Sequence, residues 1–156
     1  MIFNREHEIH RLVESFENRT IAKSDWTHAA HLTVGLYYCY SMPFAVAKNV
    51  MRDGICWLND THGTPNTDTT GYHETLTVFW LKRIWNYLDD QVGTMPLEDA
   101  ANELTERFND PSLPLKYYSR DLLFSAQARR EYMPPDLRFS RPFNLSISIC
   151  TLRPLF

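Results

Sequence analysis

The residues best suited to chemistry are six histidines and the acids beside them. His28 and His31 are three apart in DWTHAAHL, so on a helix both project from one face. His73 opens a second apolar periodic segment, GYHETLTVFW, in line with Leu76, Thr77, Trp80 and Ile84. If the two helices pack with their N-terminal ends together, three imidazoles converge. Three neutral histidines with an open position hold zinc, iron or nickel and leave room for water or substrate, and helix bundles build metal sites in this way. Glu74 lies about 100° around the helix from His73, which suits an orienting partner or a general base better than a shared ligand. Asp68 is a second acid for that role, and Asp25, one turn before His28, is placed to orient it. Trp26, Thr27 and Tyr72 would wall the pocket.

A plainer reading stands beside this one. Asp25 and Glu74 also suit helix first turns with no further role, and His7–His10 repeats the same spacing on what reads as a solvated face. The three histidines then form a buried polar network without metal, hydrogen-bonded with Thr27, Tyr72 and Thr75. His62 lies in a polar loop and reads as solvated. Cys39 and Cys56 sit in apolar runs that raise a thiol pKa and argue against nucleophiles. No GxSxG, GxxxxGK[ST], GxGxxG or HExxH pattern is present.

Helices must position these residues, and the periodicity supplies them. Ile9, Leu12, Val13 and Phe16 predict a helix over Arg5–Glu17. Ser24 as N-cap and Asp25 in the first turn predict a second over Asp25–Ser41, apolar over most of its circumference and therefore central. Pro43 suits the first position of a third helix running past Gly54 through Leu58. Asn59–Thr70, rich in Gly, Pro, Asn, Asp and Thr, reads as a loop. Further helices are expected over Gly71–Asp90, Pro96–Phe108 and Tyr117–Ala128, with Asn109–Pro114 a loop and Pro134–Pro135 ending regular structure. Asn144–Thr151 alternates like a strand with no partner, which suggests a loosely ordered extension or an intermolecular contact. The expected fold is all-α: one helical bundle of five to six helices over residues 1–137, with an irregular extension over 138–156.

Composition sets the outer limits. The 156 residues suit one domain, and 44% hydrophobic with 22% charged residues is an ordinary globular balance. A net charge of −3 without a dense basic run argues against nucleic acid as partner; Arg129 and Arg130 read as a solvated helix end. Three cysteines without a CxxC pair read as reduced thiols. The N-terminus lacks the apolar core of a signal peptide, and no apolar stretch approaches the roughly 20 residues that span a bilayer. The expected location is the cytoplasm, and the expected partner a small molecule.

The segments Asp25-Trp26-Thr27-His28-Ala29-Ala30-His31-Leu32 and Asn66-Thr67-Asp68-Thr69-Thr70-Gly71-Tyr72-His73-Glu74-Thr75 resemble a group of small uncharacterised bacterial helical proteins with WTHxAHL and NTDTxGYHET motifs. Tyr118–Arg120, Leu123–Ser125 and Pro135–Leu137 are similar to the later part of that group. The resemblance covers about Phe16–Leu137, implies a small helical protein and brings no activity with it. The tail from Arg138 onward departs from the pattern.

Overall fold

The computed structural model describes residues 2–90 and 95–137. Among the described residues, seven α-helices and one 3-10 turn follow in order: α1 (Glu6–Glu17), α2 (His28–Ser41), α3 (Phe44–Thr61), α4 (Glu74–Asp90), α5 (Leu97–Arg107), the turn Leu113–Lys116, α6 (Arg120–Leu123) and α7 (Ala126–Arg130). No strand occurs among the described residues. The all-α expectation holds, and the strand-like Asn144–Thr151 lies outside the described residues. No described helix is long and apolar enough to cross a membrane.

Helix α2 is the hub and touches α1, α3, α4 and α5. Its residues Leu32, Val34, Leu36 and Tyr38 are almost completely buried, as expected of a helix that is apolar around most of its circumference. Fully burying one such aliphatic side chain stabilises by about 1.5–3 kcal/mol. Gly35 lets α4 approach: a Cβ there would meet Ile84 Cδ1 at 2.9 Å and Leu81 Cδ2 at 3.3 Å. Gly54 does the same for the Phe16 ring of α1, which lies directly over it. That contact explains a glycine inside α3, where it otherwise costs up to about 1 kcal/mol. On its far side α4 carries a smaller cluster of Phe79, Tyr118 and Leu123.

Helix ends differ from the sequence expectation where local caps compete. Helix α2 begins at His28, not Asp25, because the Asp25 and Trp26 amides bond back to Ala22 O and close a turn. Thr27 is the cap, its hydroxyl accepting from Ala30 N at 3.3 Å. Helix α4 begins at Glu74, not Gly71. Gly71 stays in the loop at φ +74°, where a Cβ would collide with Pro65 O at 2.6 Å. The single helix expected over Tyr117–Ala128 is two short ones. Ser119 and Ser125 each cap a new start, accepting from Leu122 N at 3.2 Å and Ala128 N at 3.1 Å. Helix α3 runs on to Thr61, which shortens the expected loop. Part of the Asn109–Pro114 loop winds into the 3-10 turn.

Candidate functional site

The first turns of α2 and α4 lie side by side, and His28, His31 and His73 line one cavity of about 310 Å³. Leu32, Met51, Ile55, Leu76, Trp80, Leu81 and Ile84 give it apolar walls, and Gly71, Tyr72 and Thr77 complete the lining. Among the described residues no Lys, Arg, Asp or Glu lines it.

Each histidine hydrogen-bonds a backbone carbonyl, which only accepts; the ring nitrogen facing it therefore carries the proton. His28 donates from Nε2 to Phe108 O at 2.9 Å. His31 donates from Nδ1 to Thr27 O at 2.8 Å. His73 donates from Nε2 to Leu123 O at 2.8 Å. These bonds assign the tautomers and hold the rings. His73 also caps α4, its Nδ1 accepting from Leu76 N at 3.3 Å. The remaining nitrogens, His28 Nδ1 and His31 Nε2, have no hydrogen-bond partner among the described residues, and neither is sealed from solvent. The Trp26 ring covers His31, with centroids 3.9 Å apart, and the Trp80 ring stands edge-on to His28 at 4.7 Å. Burial pushes the His31 pKa down to about 4 against the opposing bond to Thr27, with His28 adding a smaller push. Burial lowers that of His73 as well. His31 is thus a neutral acceptor at neutral pH.

Tyr72 joins the cavity to an acid outside its lining. Its hydroxyl donates to Glu74 Oε2 at 2.6 Å, and Lys48 Nζ lies 3.8 Å from Glu74 Oε1. Burial, then Glu74, pushes the Tyr72 pKa up, so the phenol keeps its proton. The loop carrying Tyr72 is pinned from two sides. Asn66 Oδ1 accepts from Tyr72 N at 2.9 Å, and Arg129 donates to Gly71 O and Tyr72 O, both at 3.0 Å.

The structure brings His28, His31, His73 and Tyr72 to one cavity and leaves Glu74, Asp68, Trp26 and Thr27 outside its lining. Glu74 stands behind Tyr72, and Trp26 and Thr27 support His31 from behind. Asp68 is exposed and held by Arg130, whose Nε donates to Oδ1 at 2.7 Å. Arg129 and Arg130 are therefore loop anchors and not a free helix end. His62 is not simply solvated: its Nε2 donates to Ile21 O at 2.9 Å. Asp25 does not orient His28, since Phe108 holds that ring and Asp25 accepts from Ser24. The expected side-chain network also differs. Thr75 bonds Glu131 O and Met133 N, and Tyr72 bonds Glu74, while the histidines bond backbone. Cys39 and Cys56 are free thiols, and burial raises the pKa of both.

Among the described residues, no three His, Cys, Asp or Glu side chains group as they would around one metal ion. The sequence alone identified the cavity's histidine wall and the in-line Leu76, Thr77, Trp80 and Ile84. It did not identify Met51 and Ile55 of α3, or the Phe108 and Leu123 carbonyls, which no local spacing signals. No family model, curated protein or solved structure matches the chain.

Proposed function

We propose that the protein binds a small molecule in the cavity between α2, α3 and α4. The carrying observation is a mostly apolar cavity with imidazoles on its wall, each held by a backbone carbonyl, and two ring nitrogens without a partner among the described residues. A largely apolar hollow with a few convergent polar groups is the usual form of a ligand pocket. At roughly 30 Å³ per small polar unit, the volume suits an occupant of about ten non-hydrogen atoms. The test is a ligand-observed NMR screen of a broad panel of such molecules, run on wild type and on Thr77→Met, which fills the cavity from α4. Hits that disappear in Thr77→Met support the reading. Hits unaffected by it, or no hits at all, overturn it.

A second reading keeps His28, His31 and His73 as ligands of a divalent metal, with zinc, iron or nickel the candidates. One observation favours it: metal-binding imidazoles commonly donate their other N–H to a carbonyl, as all three rings do here. His73 fits least well, because its second nitrogen already accepts from Leu76 N. A metal-dependent reaction on a small molecule would follow from this reading, with Glu74 acting on the site through Tyr72. Elemental analysis of untagged protein decides it. Near-stoichiometric metal that is lost in the His28→Ala/His73→Ala double variant supports a metal site, and equal content in both proteins excludes these residues.

A further inference from the structure

We infer that the cavity selects molecules with an apolar body and a hydrogen-bond-donating head, of the amine or alcohol class, over carboxylates and phosphates. The inference rests on the small-molecule reading above and deepens it.

The polar atoms that the cavity wall can offer are chiefly acceptors. With its N–H on Phe108 O, His28 presents Nδ1 as a lone pair; with its N–H on Thr27 O, His31 presents Nε2 likewise. Tyr72 directs its proton to Glu74, and its oxygen, which already accepts from the Thr77 side chain, has one lone pair left for an occupant. Such a set complements a donor and leaves an anion's oxygens facing lone pairs. Buried groups left facing like groups lose the full cost of their desolvation.

The charges nearby act in the same direction. Among the described residues no Lys or Arg lines the cavity, so the described wall gives an anion no counter-ion. The Glu74 carboxyl group stands one phenol away, and its basic neighbour Lys48 is on its far oxygen at 3.8 Å. Protonating His31 would supply a cationic donor, but Trp26 and the apolar wall keep that ring neutral at neutral pH. The helix N-termini of α2 and α4 would favour an anion. Both are already capped from within, by the Thr27 hydroxyl on Ala30 N and by His73 Nδ1 on Leu76 N. Thr77 supplies a hydroxyl to the lining, and the Trp80 and Tyr72 rings supply aromatic surface for an ammonium or a methylene stem.

The test is a matched series on one phenyl body: benzylamine, benzyl alcohol, toluene and benzoate. Each is titrated at neutral pH into ¹⁵N-labelled full-length protein, as wild type, Thr77→Met and His31→Phe. Benzylamine and benzyl alcohol should bind about tenfold more tightly than toluene and benzoate, the weight of one hydrogen bond to a neutral acceptor. His31→Phe should weaken binding of the donors several-fold while toluene binding persists, and that persistence also shows the variant is folded. Benzoate binding as well as benzylamine, or a donor preference unchanged in His31→Phe, overturns the inference. Equal binding of all four, abolished by Thr77→Met, defeats the head-group selection and leaves the small-molecule reading standing. No binding by any of the four, together with an empty screen, removes the underlying reading and the selection with it.

Discussion

His31 should make the fold progressively less stable as the pH falls below neutrality. Its pKa falls from 6.5 to about 4 because charging the ring would place a cation beneath Trp26 and among the apolar groups of the cavity wall. In the unfolded chain the same ring titrates near its ordinary value, so between those two pH values the unfolded state binds more protons. Stability is complete above about pH 6.5 and declines toward pH 4. The slope approaches about 1.36 kcal/mol per pH unit midway, and the full displacement is worth about 3 kcal/mol. Between about pH 7.5 and pH 4.5, roughly 2.5 kcal/mol of that should be lost. Urea unfolding, followed by tryptophan fluorescence at several pH values, measures the loss. His73 is shifted in the same direction by its own burial, so the comparison with His31→Phe isolates His31. That variant should show the shallower profile. Parallel profiles, or an imidazole signal of His31 that titrates near 6.5, would refute the reasoning.

Three further outcomes follow from the packing and the thiols. Gly54→Ala should lower stability by roughly 1–3 kcal/mol, because the added methyl group meets the Phe16 ring; unchanged urea unfolding would place α1 elsewhere. Tyr72→Phe should cost about 1.5–3 kcal/mol, since it removes the hydroxyl that donates to the buried Glu74 carboxyl group; a stability change under a few tenths would remove that bond from the account. Cys39 should resist iodoacetamide in the native state, its thiol being buried and its pKa pushed up to about 12. Site-resolved mass spectrometry should find the half-buried Cys56 alkylated before Cys39, and the reverse order would contradict the burial of α2.

The elements legible in the sequence were those with a strong apolar period. Phe16 and Ile84 lie in the core because helices α1 and α4 each carry a broad apolar face, and Leu36 because α2 is apolar around most of its circumference. The histidine wall was legible for the same reason: spacing of three on α2 and a position at the N-terminal end of α4 fix which side of each helix the rings share. Boundaries were not legible where two caps compete. Ser24 and Thr27 both suit an N-cap, and only the tertiary fold, which closes the turn from Ala22 to Trp26, decides for Thr27. What each ring binds was not legible either. Phe108 lies 80 residues from His28 and Leu123 lies 50 from His73, so no local pattern announces that backbone carbonyls, and not Asp25 or Thr75, engage these nitrogens. The same distance hides the anchoring roles of Arg129 and Arg130, whose partners are loop groups 57 to 62 residues away.

The most direct test of the acceptor-lined cavity is a long-range ¹H–¹⁵N correlation spectrum of the imidazole nitrogens at neutral pH. The expected spectrum shows neutral rings at His31 and His73, with the proton on Nδ1 of His31 and on Nε2 of His73, and a proton on Nε2 of His28. An imidazolium at His31, or its proton on Nε2, would contradict the account, because the wall would then offer a donor where a lone pair is required.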